Sequence, residues 1–142
     1  MMNEKSKDRG KMMEILSKSQ CKDEIIDELD MSDLDLTFSD LSEVMAKRVI
    51  LRASSLMRVS FRDCDFELAD FINCNLVEPD IADCRFGEAN FSKTNIKYAK
   101  INISDCFETC FDEVNFFNGE LVRTILNYAM FRHVNLSGID AE

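Results

Sequence analysis

From Met31 to Ala141 every fifth residue is apolar, without an exception: Met31, Leu36, Leu41, Ala46, Leu51 and Leu56 open the series, Phe61 to Phe91 continue it, and Phe131, Leu136 and Ala141 close it. With 46% apolar residues in the chain, a run of this length is not an accident of composition. A second series of small or β-branched residues lies two positions earlier, among them Ser39, Val44, Val49, Cys64, Ala69, Cys74, Cys84, Thr94 and Val134. Both series have to point inward. A period of five fits neither the 3.6-residue helix nor the two-residue strand, so the chain must turn a corner in every repeat. Four such corners close a square coil of about 20 residues, and coils of that kind stack backbone to backbone about 4.8 Å apart. The expected class is an all-β solenoid.

The local motifs Ala69-Asp70-Phe71, Cys74-Asn75-Leu76, Ala89-Asn90-Phe91, Thr94-Asn95-Ile96 and Val134-Asn135-Leu136 resemble the consensus of the pentapeptide-repeat family: a small residue, then Asp or Asn, then Leu or Phe. The resemblance runs over the whole period-five region. It implies a right-handed quadrilateral β-helix in which the large residue is central and the small one lies beside it in the core.

The first thirty residues follow another pattern. Met12, Met13, Ile15 and Leu16, then Ile25, Ile26 and Leu29, recur at helical spacing among Lys, Asp and Glu. A stacked coil leaves a raw apolar end with unpaired amides, so a helix over the first coil would shield it. Residues 1–9 are expected to be disordered, 10–29 to form a short helical cap and 30–142 to form about 5.5 coils. The alternative for the N-terminal segment is a secretion or partner address. At the other end the repeat runs into the last residues, leaving a cross-section centred on Leu121, Leu126, Phe131 and Leu136. Pairing of two chains through that end would cover it, and the resemblance implies the same, since some members of the family dimerise there.

Catalysis is not expected. Acidic residues abound, but a solenoid spreads them over a convex surface, whereas acid–base chemistry needs carboxylates in a concave, partly desolvated site. Gly-rich phosphate loops, GxSxG and HExxH are missing from the sequence, so no cofactor is called for. Cys64, Cys74 and Cys84 take small inward slots and read as buried hydrophobes, Cys106 takes a large one, Cys110 faces outward, and Cys21 is the thiol most open to modification. His133 reads as a surface residue. No run of 18 apolar residues and no apolar stretch like that of a secretory signal is present, so membrane insertion is not expected and a cytoplasmic location is.

The outer faces carry the functional expectations. One face collects Asp40, Glu43, Asp63, Asp80, Asp83, Glu120, Asp140 and Glu142 against Arg62, Lys100 and Arg123, a net charge of −5. Its neighbour places Phe38, Met57, Val77, Tyr98 and Phe117 outward as an apolar strip. The expected function is a non-catalytic scaffold that binds a protein partner through the acidic face and the strip. The resemblance adds an alternative: members of the quinolone-resistance type and their mycobacterial counterpart resemble duplex DNA in width and charge and bind type II topoisomerases such as DNA gyrase. A net charge of −10 suits that mimicry and disfavours direct nucleic-acid binding. Length opposes it, since a rod of about 26 Å matches only about 8 base pairs.

Overall fold

The period of five builds a stack of square coils in parallel register, seen here in a computed structural model that describes residues 4–20 and 26–141. Residues 20 apart sit side by side: Asp30 pairs with Ile50, Asp70 with Asn90 and Asn115 with Asn135. Each coil exchanges amide bonds with the next, as when Leu36 N donates to Ser55 O at 2.8 Å and Ser55 N donates to Leu34 O at 2.8 Å. Only short stretches between corners are extended enough to be strands. These are β1 (Ser60–Arg62), β2 (Asp80–Ala82), β3 (Lys100–Asn102), β4 (Cys110–Asp112), β5 (Glu120–Val122), β6 (Met130–Arg132) and β7 (Asp140–Ala141). β1, β2, β3, β5 and β7 form one parallel sheet on one side of the square, while β4 pairs with β6 on another.

The corners share one backbone solution. The second residue after each inward large residue has a positive φ, from Glu28 at 63° through His133 at 49°, 22 non-glycine residues in unbroken sequence, with Gly138 at 71° completing the set. In many corners the amide three residues on closes a bond, such as Ser39 N to Leu36 O at 3.0 Å and Thr94 N to Phe91 O at 3.1 Å. Positive φ at the third residue alone is the signature of a type II turn. Asp and Asn just before the large residue reinforce the corner by accepting the amide two positions on: Asp35 Oδ1 from Thr37 N at 3.0 Å, Asp70 Oδ1 from Ile72 N at 3.0 Å, Asn90 Oδ1 from Ser92 N at 2.9 Å. In the first coil the hydroxyls of Ser32, Thr37 and Ser42, and then their amides, hold the carboxyls of Asp30, Asp35 and Asp40 below the usual range.

The large residues meet along the axis. Phe71, Phe91, Phe111 and Phe131 stack with centroids 4.5, 5.4 and 4.9 Å apart and nearly parallel planes, because a side chain repeated every 20 residues lies directly above its predecessor. The small slots carry polar atoms that reach the previous coil's carbonyls. Ser54 Oγ donates to Met31 O at 2.7 Å, Cys74 Sγ to Leu51 O at 2.8 Å and Thr94 Oγ1 to Phe71 O at 2.6 Å. Cys64, Cys74, Cys84 and Cys106 are buried and free, so the thiols serve as small core groups. Burial pushes Cys74 and Cys106 up to about 12.

Helix α1 (Glu4–Gln20) buries Leu16 and packs Met12, Met13 and Ile15 against the first coil, and Gln20 Nε2 donates to Asp40 O at 3.0 Å. This corrects the expected boundaries: the helix begins within the segment expected to be disordered and ends well before residue 29. Residues 26–29 already belong to the ladder, with Ile26 N bonded to Met45 O at 3.1 Å, Glu28 N to Lys47 O at 3.0 Å and a positive φ at Glu28. The cause is a degeneracy of spacing. In the square coil the large residue and the small slot three positions later both point inward, so Ile26 and Leu29 satisfy the coil as well as a helix. No described helix is long and apolar enough to cross a membrane.

Two outcomes follow from the corners. Ile103 is β-branched, exposed and held at φ 49°, a conformation that costs about 1–2 kcal/mol outside Gly, Asn and Asp. Ile103→Asn therefore raises the thermal midpoint, by about 0.5–1 kcal/mol of stability in chemical denaturation. The depressed carboxyls of Asp30, Asp35 and Asp40 stabilise the fold above their unfolded pKa, and that contribution is lost as pH falls through the lower folded value. Melting followed from about pH 6 to about pH 2.5 should show a midpoint that declines below about pH 4. It should decline less steeply in the triple Asp→Asn variant, whose amides keep the turn bonds.

Candidate functional site

Six carboxylates expected on one face do share it. Asp40, Asp80 and Glu120 stand in one column with Ser60 and Lys100 between them, and Glu43, Asp63 and Asp83 occupy the adjoining corners. Neighbours in a parallel ladder are only about 4.8 Å apart; Ser60 and Lys100 separate the first three acids of the column, whereas Glu120 lies beside Asp140 and Glu43, Asp63 and Asp83 follow one another at the corner. Arg62 pairs with Asp80, and Lys100 Nζ lies 3.4 Å from Glu120. The Asp80 bond, with Asp40 and Asp63 nearby, raises the pKa of the Arg62 guanidinium. The result is an acidic face whose strand column is interrupted by cations while its corner carries acids in three successive coils.

The expected apolar strip separates into two ends. Phe38 and Tyr98 hold the positive-φ corner position and are exposed, whereas Met57, Val77 and Phe117 sit one residue earlier in their repeats and are half-buried. Between the ends, Arg58 places its guanidinium 5.7 Å from the Phe38 ring centroid and donates from Nε to Glu78 at 2.7 Å. Tyr98 and Phe117 meet edge to face at 5.8 Å. Phe38 and the Tyr98–Phe117 pair are thus separated by an ion pair.

At the last coil the core opens. Leu121 is 6% exposed, Leu126 is partly buried, and Phe131 and Leu136 rise to 37% and 41%. Cys106 N and Phe116 N each donate to the following coil, at 2.8 and 2.9 Å, and no described residue lies beyond Leu126 and Leu136 to accept the equivalent bonds.

Two features were not expected from the sequence. Asp65 is a carboxylate only 2% exposed, and Lys47 and Arg85 from the flanking coils each approach it at 3.3 Å. Lys47 Nζ also binds Glu67 at 2.6 Å, Arg85 pairs with Glu67 as well, and the Lys47 bond holds Glu67 below the usual carboxylate range. The signal was the 20-residue spacing of opposite charges, Lys47 with Glu67 and Asp65 with Arg85. The second is a group of exposed apolar side chains, Leu68, Phe107, Ile125 and Tyr128 on the face centred on Phe66, Phe86, Cys106 and Leu126, with Ile103 at the corner this face shares with the acidic one. Bulky residues at the corner position were its signal: Leu68, Ile103 and Tyr128 all carry a positive φ.

Cys110 is half-buried, with its sulfur 3.5 Å from Ser92 Oγ, and His133 is exposed beside Asp112 at 3.2 Å. Among the described residues no group of His, Cys, Asp and Glu is arranged to hold a metal. Cys21 lies outside the described residues.

The sequence model of pentapeptide repeats matches residues 54–92 and 69–102, in 8 copies. Among solved structures, the chain is similar to a pentapeptide repeat protein, Rfr23, from the cyanobacterium Cyanothece 51142, at 13% identity and TM-score 0.50 over 82% of this chain and 86% of that one. It is also similar to QnrB1, a plasmid-mediated fluoroquinolone resistance protein, at 16% identity and TM-score 0.38 over 84% of each chain. A third is HetL, a pentapeptide repeat protein of Nostoc sp. strain PCC 7120 involved in heterocyst differentiation regulation, at 11% identity and TM-score 0.25 over 90% and 93%. At 13% identity the likeness to Rfr23 is one of fold. No curated protein matches the chain.

Removing the Asp65 carboxylate leaves Lys47 and Arg85 facing one another across a buried site, yet both cations are partly exposed and can turn to water. Asp65→Ala should therefore cost about 1–2 kcal/mol in urea unfolding, below the figure for a fully buried pair. Asp65→Asn, which can still accept the Glu67 amide, should cost less.

Proposed function

Because the chain belongs to the pentapeptide-repeat family, we propose that it acts as a non-catalytic scaffold that presents fixed outer faces to a protein partner and pairs with a second copy through its last coil. The observation that carries this reading is the placement of the exposed large apolar side chains. Apart from Met45 they lie on the outer corners and the terminal coil, and the 20-residue ladder fixes each relative to its neighbours.

A second copy suits the terminal coil for two reasons. Phe131 ends an aromatic column with one ring face unstacked, and a twofold axis would bring the same face of the partner copy onto it. Residues 121–141 contain Arg123, Arg132 and Asp140 as their only formal charges, so this end escapes the repulsion expected of a chain of net charge −10. The acidic face is a further contact surface in this reading. Its interruption by Arg62 and Lys100 lends no support to duplex mimicry.

Sedimentation equilibrium tests the pairing: the wild-type chain should run as a dimer and Phe131→Asp/Leu136→Asp as a folded monomer, while a wild-type monomer at about 100 μM would refute it. The scaffold reading is tested by benzoylphenylalanine placed at Phe38, Tyr98 and Tyr128, irradiated in cells. A discrete adduct that re-forms from the two purified proteins supports it, and adducts at none of the three positions overturn it. Purified gyrase should supercoil DNA unhindered in the presence of the protein; inhibition would favour the mimic.

A further inference from the structure

The face centred on Phe66, Phe86, Cys106 and Leu126 contains two adjoining notches. One, of about 160 Å³, opens because Gly87 puts no side chain between Glu67 and Phe107. Leu68 and Phe107 wall it, with Glu88 and Asp105 at its rim. The other, of about 230 Å³, is walled by Ile103 and Ile125 and bordered by Arg85 and Arg123. Asp105 lines both and stands between them. The run from Ile103 past Asp105 to Phe107 sets the two notches no more than about 13 Å apart.

Their walls are unusual for this molecule. Of the eleven exposed large apolar side chains among the described residues, Leu68, Ile103, Phe107, Ile125 and Tyr128 gather here, and Tyr128 extends the wall by packing edge-on against Phe107 at 5.7 Å. Ile103 is held in a conformation its β-branch opposes while its side chain stays 54% exposed, so the corner carries strain that internal packing does not return. Among the described residues some acids here are ion-paired and others, Asp83 of the second notch included, are not. Asp65 and Glu67 at the upper edge are neutralised by Lys47 and Arg85, whereas Glu88, Asp105 and Glu108 make no ion pair among the described residues. Asp105 accepts only the Phe107 amide, at 2.9 Å.

We infer that this face binds an extended segment of a partner protein in which an apolar, a basic and an apolar residue alternate. In an extended chain residues i, i+2 and i+4 point the same way and span about 13 Å, enough to reach both notches. The outer two fill the notches and the central Lys or Arg meets Asp105, with Glu88 and Glu108 widening the anionic rim. The inference rests on the scaffold reading and assigns it a contact face.

The probe is a library of random peptides of about 12 residues selected on the full-length protein, with enriched sequences synthesised and measured by fluorescence anisotropy. The expected consensus is apolar-x-basic-x-apolar. Three variants should each weaken binding about tenfold or more. Gly87→Trp fills its notch, and its added Cβ meets nothing nearer than Glu67 Cγ at 3.7 Å. Ile103→Asn removes a wall while relieving the corner, so its loss of binding is not a loss of fold. Asp105→Asn keeps an acceptor for the Phe107 amide, removes the charge and should flatten the salt dependence. Equal affinity for the Gly87 and Ile103 variants, a consensus without a basic residue, or no enrichment overturns the assignment. Crosslinked adducts at Phe38 or Tyr98 alongside any of these results would leave the scaffold reading standing and remove only this face.

Discussion

The parallel register of 20 residues is the constraint on which the rest of the molecule depends. Once each coil bonds to the next through amides such as Leu36 N to Ser55 O and Ser55 N to Leu34 O, the chain has to close a square in every coil. Closure forces a positive φ at each corner and stacks each inward side chain on its predecessor. The aromatic column from Phe71 to Phe131 and the thiols and hydroxyls that bond back to earlier carbonyls are consequences of that one repeat. Each coil contacts only its neighbours, so the first coil needs α1 and the last, among the described residues, lies bare.

The same register governs the charges. Residues that are distant in sequence are brought within about 4.8 Å on the surface; acids stack on acids at Glu43, Asp63 and Asp83 and at Glu120 beside Asp140, and elsewhere the ladder sets cations beside acids. Lys47 and Arg85 around Asp65, Arg62 beside Asp80 and Lys100 beside Glu120 are cases of this. Glu88 and Asp105 at the Gly87 notch make no ion pair among the described residues and keep their charge on the surface.

The core was legible residue by residue. Phe71, Phe91 and Cys74 lie inside as their positions in the period required, because a five-residue step leaves the large and small slots no other direction. The helix boundary was not, since Ile26 and Leu29 satisfy helix and coil alike. The outer strip is discontinuous for a different reason. Phe38 and Met57 belong to one corner column but to different positions of the repeat, and only the positive φ at Phe38 lifts its side chain clear of the surface.

The sequence by itself determined the coil: its period set the number of corners, the identity of the inward residues and the 20-residue neighbours, because those follow from a repeat that matches no helix or flat strand. Tertiary structure alone decided which outward side chains pair, which stay exposed and where the surface is notched. Outward positions carry no periodic constraint, so the fate of Asp65, Gly87, Ile103 and Phe107 depends on what the adjacent coils place beside them.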